Sequence, residues 1–194
     1  MLNIPDIRRE PHKYKQQLLL ACHVTELLSP LKLVPVLVGG ATVEFYTLGS
    51  YQTADIDMVL PGGDLEMIRE TMEKAGFKRE SDNRHWYHPD LPIPIEFPPS
   101  PVQIGDLFIE NINQIYVEGH RLHILRLEDI VLDRVVAAQE WKSEEMGLQA
   151  EAIMLVNYSK MDWSYLHKAA HQTKALETLQ RLQGSVKKTI ESLK

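Results

Sequence analysis

The sequence predicts an α+β fold, with a mixed β-sheet flanked by helices and a helical extension at the C-terminus. Three observations lead there. A helical N-terminal stretch precedes two short apolar strands, and each strand is bounded by glycine or proline. Between Phe77 and Ile124 the pattern shortens into brief alternating runs joined by turns and prolines. After Arg126 the spacing becomes helical and stays so to the end.

Taken in order, Lys13 to Leu28 carries leucines and helix formers at helical spacing, and Ser29-Pro30 ends the run. Leu33 to Val38 reads as a buried strand stopped by Gly39-Gly40, and Ala41 to Leu48 as a short helix closed by Gly49. Ile56 to Leu60 is a second strand, halted at Pro61-Gly62-Gly63. Asp64 suits an N-cap for a helix to about Ala75, with Gly76 ending it. Phe77–Arg79, His85–Tyr87, Ile93–Phe97, Leu107–Ile112, Ile115–Val117 and Leu122–Leu125 read as strands of one sheet. Helices follow over Leu127–Trp141, about Glu144–Tyr158, Trp163–Gln172 and Lys174–Leu193. This divides the chain into an α/β part, residues 1–126, and a helical part, residues 127–194.

Composition narrows the functional classes. With 194 residues, 44% hydrophobic and 25% charged, the chain is long enough for a substantial core. No apolar run approaches the ~18 residues of a membrane span, and the first ten residues, with acids and Pro5, do not resemble a signal peptide. The single Cys22 has no internal disulfide partner, so a cytoplasmic, reduced location is expected and Cys22 reads as a buried helix residue. A formal net charge of −6 speaks against a broad nucleic-acid-coating surface, although Lys174, Arg181, Lys187, Lys188 and Lys194 could give the last helix a local basic groove.

The chemistry concentrates in Val36-Leu37-Val38-Gly39-Gly40 and Thr53-Ala54-Asp55-Ile56-Asp57-Met58-Val59-Leu60. Alternate strand residues share a face, so Asp55 and Asp57 project together, about 7 Å apart, while Ile56 and Met58 face away. Two like charges so placed repel, and a divalent cation resolves the repulsion; magnesium takes carboxylate oxygens and keeps substrate phosphates and waters as its other ligands. The paired glycines let backbone amides approach a phosphate, and the helix after them aims its N-terminus at the same anion. Phosphate grip beside a carboxylate-held metal is the minimum apparatus for phosphoryl or nucleotidyl transfer.

This pattern, a hydrophobic strand, Gly-Gly, a short helix and Asp-hydrophobic-Asp on the next strand, resembles the DNA polymerase β-like nucleotidyltransferase superfamily. The stretch from Val38 through Tyr46 and from Tyr51 to Asp57 is similar to small prokaryotic members, the AbiE-type toxins among them; the hallmark covers about residues 33 to 60. The resemblance implies a nucleotidyltransferase fold, magnesium (or manganese) as cofactor, an NTP as substrate, and phosphate binding at Gly39, Gly40 and Thr53. It also implies a third carboxylate on a neighbouring strand. In Ile93-Pro94-Ile95-Glu96-Phe97, Glu96 points opposite Ile95 and Phe97 and is the candidate; Asp90 is its nearest rival. Asp55, Asp57 and Glu96 then form the catalytic, metal-holding set, and an NMP passes to a hydroxyl of RNA, protein or a small molecule. Many relatives carry Arg where this chain has Tyr51. The alternative is a non-catalytic interaction protein, antitoxin-like or regulatory, that keeps this scaffold and binds a partner protein.

Three further features are weaker. His85 and His88 read as strand histidines without a metal set, and His120 and His123 as strand-end residues. Trp141 and Trp163 read as packing residues between helices. The helix opening at Leu127 resembles the post-catalytic helix of related proteins, which would turn Arg134 toward the cleft.

Overall fold

The computed structural model describes residues 2–82 and 84–193. Helix α1 (Ile4–Arg9) is capped by Asn3, whose side chain accepts from the Asp6 amide. Helix α2 spans Lys13–Leu28, and a single 3-10 turn, Ser29–Leu31, follows it. From Leu18 to Thr25 every residue of α2 is buried, so this helix is packed nearly all round rather than on one stripe. Cys22 lies within that run, and burial pushes its thiol up to about 12, which leaves it a packing residue and not a nucleophile.

Strand β1 (Val36–Val38) is shorter than the apolar run it belongs to, because Pro35 just before it has no amide to give the ladder. Helix α3 (Gly39–Tyr46) begins two residues earlier than the sequence predicts, so the two glycines form its first turn instead of a turn before it. Strand β2 (Ile56–Val59) and helix α4 (Leu65–Lys74) follow; Asp64 caps α4 by accepting from the Glu66 and Met67 amides, as expected. Next come β3 (Lys78–Arg79), β4 (His85–His88), β5 (Leu91–Glu96), β6 (Gln103–Ile104), β7 (Leu107–Phe108), β8 (Asn113–Val117) and β9 (His120–Ile124). The helical part comprises α5 (Leu127–Glu140), α6 (Glu144–Asn157), α7 (Trp163–Gln172) and α8 (Leu176–Ser192).

Seven strands form one mixed sheet in the order β3-β4-β5-β2-β1-β9-β8. The pairs β1–β9 and β2–β5 are parallel and the other neighbours antiparallel. The expectation of a single sheet fails at Leu107: β6 and β7 make a separate two-stranded ribbon, each strand only two residues long.

Alternation sorts the central strands into two faces. Leu37, Ile56, Met58, Ile95, Leu122 and Ile124 enter one core with α1, α2 and α4. Val36, Val59 and Leu125 enter a second core with α5 to α8, and α3 serves both through Ala41 and Val43. Among the described residues no helix is long and apolar enough to cross a membrane.

Candidate active site

The site begins where β1 runs directly into α3. Gly39 has φ +62, a conformation other residues adopt only under strain, and a Cβ there would overlap the Asp57 carboxylate. Gly40 is required for a different reason: its added Cβ would stand 2.7 Å from Thr53 Oγ1. The two glycines thus let the backbone of α3 close onto the residues around β2. The Gly40 amide donates to Asp57, so the N-terminal turn of α3 already faces negative charge.

Asp55 lies just before β2 and is oriented by its neighbours. Its Oδ1 accepts the Thr53 hydroxyl at 2.8 Å, while the Thr53 amide donates to Glu44 Oε2 at 3.1 Å. Behind them, Gln17 of α2 donates to the Thr53 carbonyl at 3.1 Å. Thr53, expected at the phosphate, here positions a carboxylate.

Asp57 sits inside β2, paired with Val38 on one side and directly with Glu96 of β5 on the other. Parallel neighbours in register stand about 4.8 Å apart across the ladder, so Asp57 and Glu96 share one face. The alternation in β5 is as the sequence predicts: Leu91, Ile93 and Ile95 are buried, and Glu96 faces the other way. Burial, and then the charges of Asp55 and Glu96, raise the Asp57 carboxyl to about 6; the Gly40 amide and Arg134 pull the other way.

Glu96 is engaged on both oxygens. Arg84 Nη2 approaches Oε1 at 3.2 Å and His85 Nε2 approaches Oε2 at 3.3 Å. The other ring nitrogen of His85 pairs with Asp82, which raises the His85 pKa. The rival Asp90 lies in the turn between β4 and β5, at the far end of β5 from Glu96, and faces Arg8 at 3.9 Å.

The donor set of Asp55, Asp57 and Glu96 is all carboxylate oxygen, which fits a hard divalent cation; the Asp57 carboxyl is raised by its burial and then by the charges of Asp55 and Glu96. The fit requires Glu96 to exchange Arg84 and His85 for the metal. Among the described residues, the group whose ligand atoms all lie within 4.8 Å of one another is instead Glu80, Asp82 and His85, at the exposed margin of β4. His85, expected without a ligand set, has its two acidic neighbours in the β3–β4 connection just before it.

A cleft of about 490 Å³ opens over Gly39 and Asp57. Its walls are Val38 and Val59, the Pro98–Ile104 stretch, and α5. Arg134 lines it, as expected, joined to Asp133 at 2.8 Å and to Gln149 Oε1 at 3.2 Å. Its Nε is buried with no hydrogen-bond partner among the described residues, a costly arrangement for a charged donor. The charge of Arg134 is felt at both Asp57 and Tyr51.

Trp163 packs as predicted, with Nε1 donating to the Tyr158 carbonyl at 3.0 Å. Trp141 does not: it follows the last residue of α5, is 71% exposed, and stands at the cleft wall. The signal was present in Trp141-Lys142-Ser143, where a positive-φ lysine and an N-cap serine break the helix and leave the indole outside the packing.

Neither a family model nor a curated protein sequence matches the chain. Among solved structures the chain is similar to the solution structure of the antibiotic-resistance factor ANT(2'')-Ia, an aminoglycoside nucleotidyltransferase. The two align with a TM-score of 0.54 and 15% identity over 94% of this chain and 96% of that one. The fold is accordingly a nucleotidyltransferase-like fold, with a mixed sheet flanked by helices.

Proposed function

We propose that the protein is a metal-dependent nucleotidyltransferase that moves an NMP from an NTP to a hydroxyl acceptor. The observation that carries this reading is the register that sets Asp57 beside Glu96, on the face that Gly39 leaves open to the cleft.

Asp55 and Asp57 would hold the cation, with Thr53 orienting the Asp55 carboxylate. Bound magnesium or manganese would neutralise the triphosphate and the charge that develops as pyrophosphate leaves. The triphosphate lies along the cleft between the first turn of α3 and Arg134, which lines its wall. Arg134, arriving from α5, takes over the guanidinium role that Tyr51 leaves unfilled. Glu96, released by Arg84 and His85, accepts the acceptor's hydroxyl proton. The acceptor oxygen bonds to the α-phosphorus, the bond from the α-phosphorus to the α–β bridging oxygen breaks, and pyrophosphate departs.

The test is incorporation of each α-labelled NTP into separated RNA, protein and small-molecule fractions of a cell extract, in magnesium and in manganese. Label that enters one fraction with wild type and not with Asp57→Asn supports the reading and identifies the acceptor class. Retained labelling in Asp57→Asn refutes the role of that residue.

A second reading is favoured by one observation, the engagement of both Glu96 oxygens by Arg84 and His85. Under it the scaffold is a non-catalytic, antitoxin-like or regulatory partner of another protein. A melting temperature that magnesium raises only together with NTP speaks for the enzyme; indifference to both speaks for the partner protein.

A further inference from the structure

Trp141 stands in the wall of the cleft that opens over Gly39 and Asp57, and its side chain is unengaged. The other two indoles have partners. Trp86 is buried beneath the Arg79 guanidinium, and Trp163 packs against Tyr158 with ring centroids 4.7 Å apart. Trp141 is 71% exposed and makes no aromatic or cation–π contact with a described residue. The fold therefore gains little from this indole, although it borders the cleft that holds Asp57.

Its place on α5 ties it to Arg134. Trp141 keeps right-handed helical backbone angles just beyond the last residue of α5, so it continues the helical track. Seven residues make two turns, which puts Arg134 and Trp141 on one face of that track, about 10 Å apart along its axis. Arg134 is the inner of the two: only 13% of its side chain is exposed, and its charge is felt at Asp57. Trp141 is the outer. Pro98, Pro99, Pro101 and Val102 add apolar surface to the same cleft, and among the described residues no charged lining residue lies on α5 beyond Arg134. The helix thus presents a cation to the inner cleft and, two turns on, a flat apolar face. A ribose between a phosphate and a base spans the same kind of gap.

We propose that Trp141 is the platform on which the nucleobase of the NTP stacks, and that this seat favours a purine. The proposal rests on the nucleotidyl-transfer reading, since it places the base of the nucleotide used in that reaction. With the triphosphate between the first turn of α3 and Arg134, the nucleoside extends along α5 to the indole. Any base offers a π-face to stack, and a bicyclic purine covers more of the indole than a pyrimidine does. Trp141 acts in binding and takes no part in the proton or phosphoryl steps.

The probes are the α,β-methylene analogues of ATP and UTP, and ribose 5-triphosphate, which lacks only the base. Each is titrated calorimetrically, with magnesium, into wild type, Trp141→Leu and Trp141→Phe, and tryptophan emission is followed in parallel. In wild type the ATP analogue should bind at least about fivefold more tightly than ribose 5-triphosphate, with the UTP analogue between them. Trp141→Leu should weaken the ATP analogue by a similar factor, leave ribose 5-triphosphate unchanged and abolish the quenching that the ATP analogue causes. Trp141→Phe should restore part of the affinity, and an unaltered ligand-free melting temperature reports that both variants are folded. Equal binding of the ATP analogue and ribose 5-triphosphate to wild type overturns the proposal and leaves the indole to an aromatic acceptor or a partner protein. Affinity for the ATP analogue that Trp141→Leu leaves unchanged also overturns it. Failure of the nucleotidyl-transfer reading looks different: none of the three ligands binds in magnesium, and the base seat falls with it.

Discussion

The two faces of the central sheet are built from the same strands and do opposite work. Toward α2 and α4 the face is continuous hydrocarbon, with Leu37, Ile56, Met58 and Ile95 all fully buried. Toward α5 the paired valines Val36 and Val59 are buried, while Asp57 lines an open cleft with Glu96 beside it in the sheet. A period of two residues is what permits this, since each strand gives alternate residues to each side. The sealed side supplies rigidity, and the open side can then hold like charges close together at a cost the rest of the fold absorbs.

Substitutions that separate the faces give the largest effects. Asp57→Asn should reduce transfer at least about a thousandfold while leaving the melting temperature equal or higher, because it removes a buried, repelled charge; unfolding of the variant would show that Asp57 is structural. Leu20→Ala, on the sealed side, should cost about 2–5 kcal/mol in urea denaturation, with activity per folded molecule unchanged. A loss of activity beyond the folded fraction would mean that the two faces are coupled. Arg134→Gln should raise KM for NTP about tenfold to a hundredfold, the worth of a charged contact of roughly 1.4–3 kcal/mol. An unchanged KM would remove Arg134 from the triphosphate.

The smallest effect is a pH dependence. A carboxyl with a folded pKa above its unfolded value holds its proton more tightly when folded. Asp57 is raised from 3.8 to about 6, so metal-free stability should fall as pH rises through that interval. The decline attributable to Asp57 is at most about 3 kcal/mol. It should vanish in Asp57→Asn and shrink when magnesium is added. A wild-type profile parallel to that of the variant would show that the charges around Asp57 are relieved in some other way.

Much of this site is legible in the chain because it is local. Gly39-Gly40 and Asp55-Ile56-Asp57 stand out by spacing; a third carboxylate is implied by the resemblance, and alternation within one strand makes Glu96 the candidate for it. What escaped depends on contacts distant in sequence or on the ends of elements. The clamp on Glu96 needs β4 to lie beside β5 with His85 opposite Glu96, a pairing across eleven residues; the Asp82–His85 contact that orients the ring is local. The separation of β6 and β7 into their own ribbon turns on strands of two residues, too short to carry a periodic signal. Trp141 reads as core because it is an apolar side chain next to a helix, whereas the helix stops one residue before it. The hydrogen bond from Thr53 to Asp55 depends on side-chain orientation, which spacing does not carry.

The boundary at residue 126 marks a change of secondary structure without a change of core. Val36, Val43 and Val59 from the first part are buried together with Ile130, Val135 and Leu166 from the second. Asn157 of α6 also donates to the Tyr46 carbonyl at 2.8 Å, at the C-terminal end of the helix that opens with Gly39. The helical part is therefore not a cassette that could be exchanged for another of similar length. Cleaved at 126, the first fragment would keep every carboxylate of the site and still present a bare valine surface to water, so self-association would overtake it before it met a substrate.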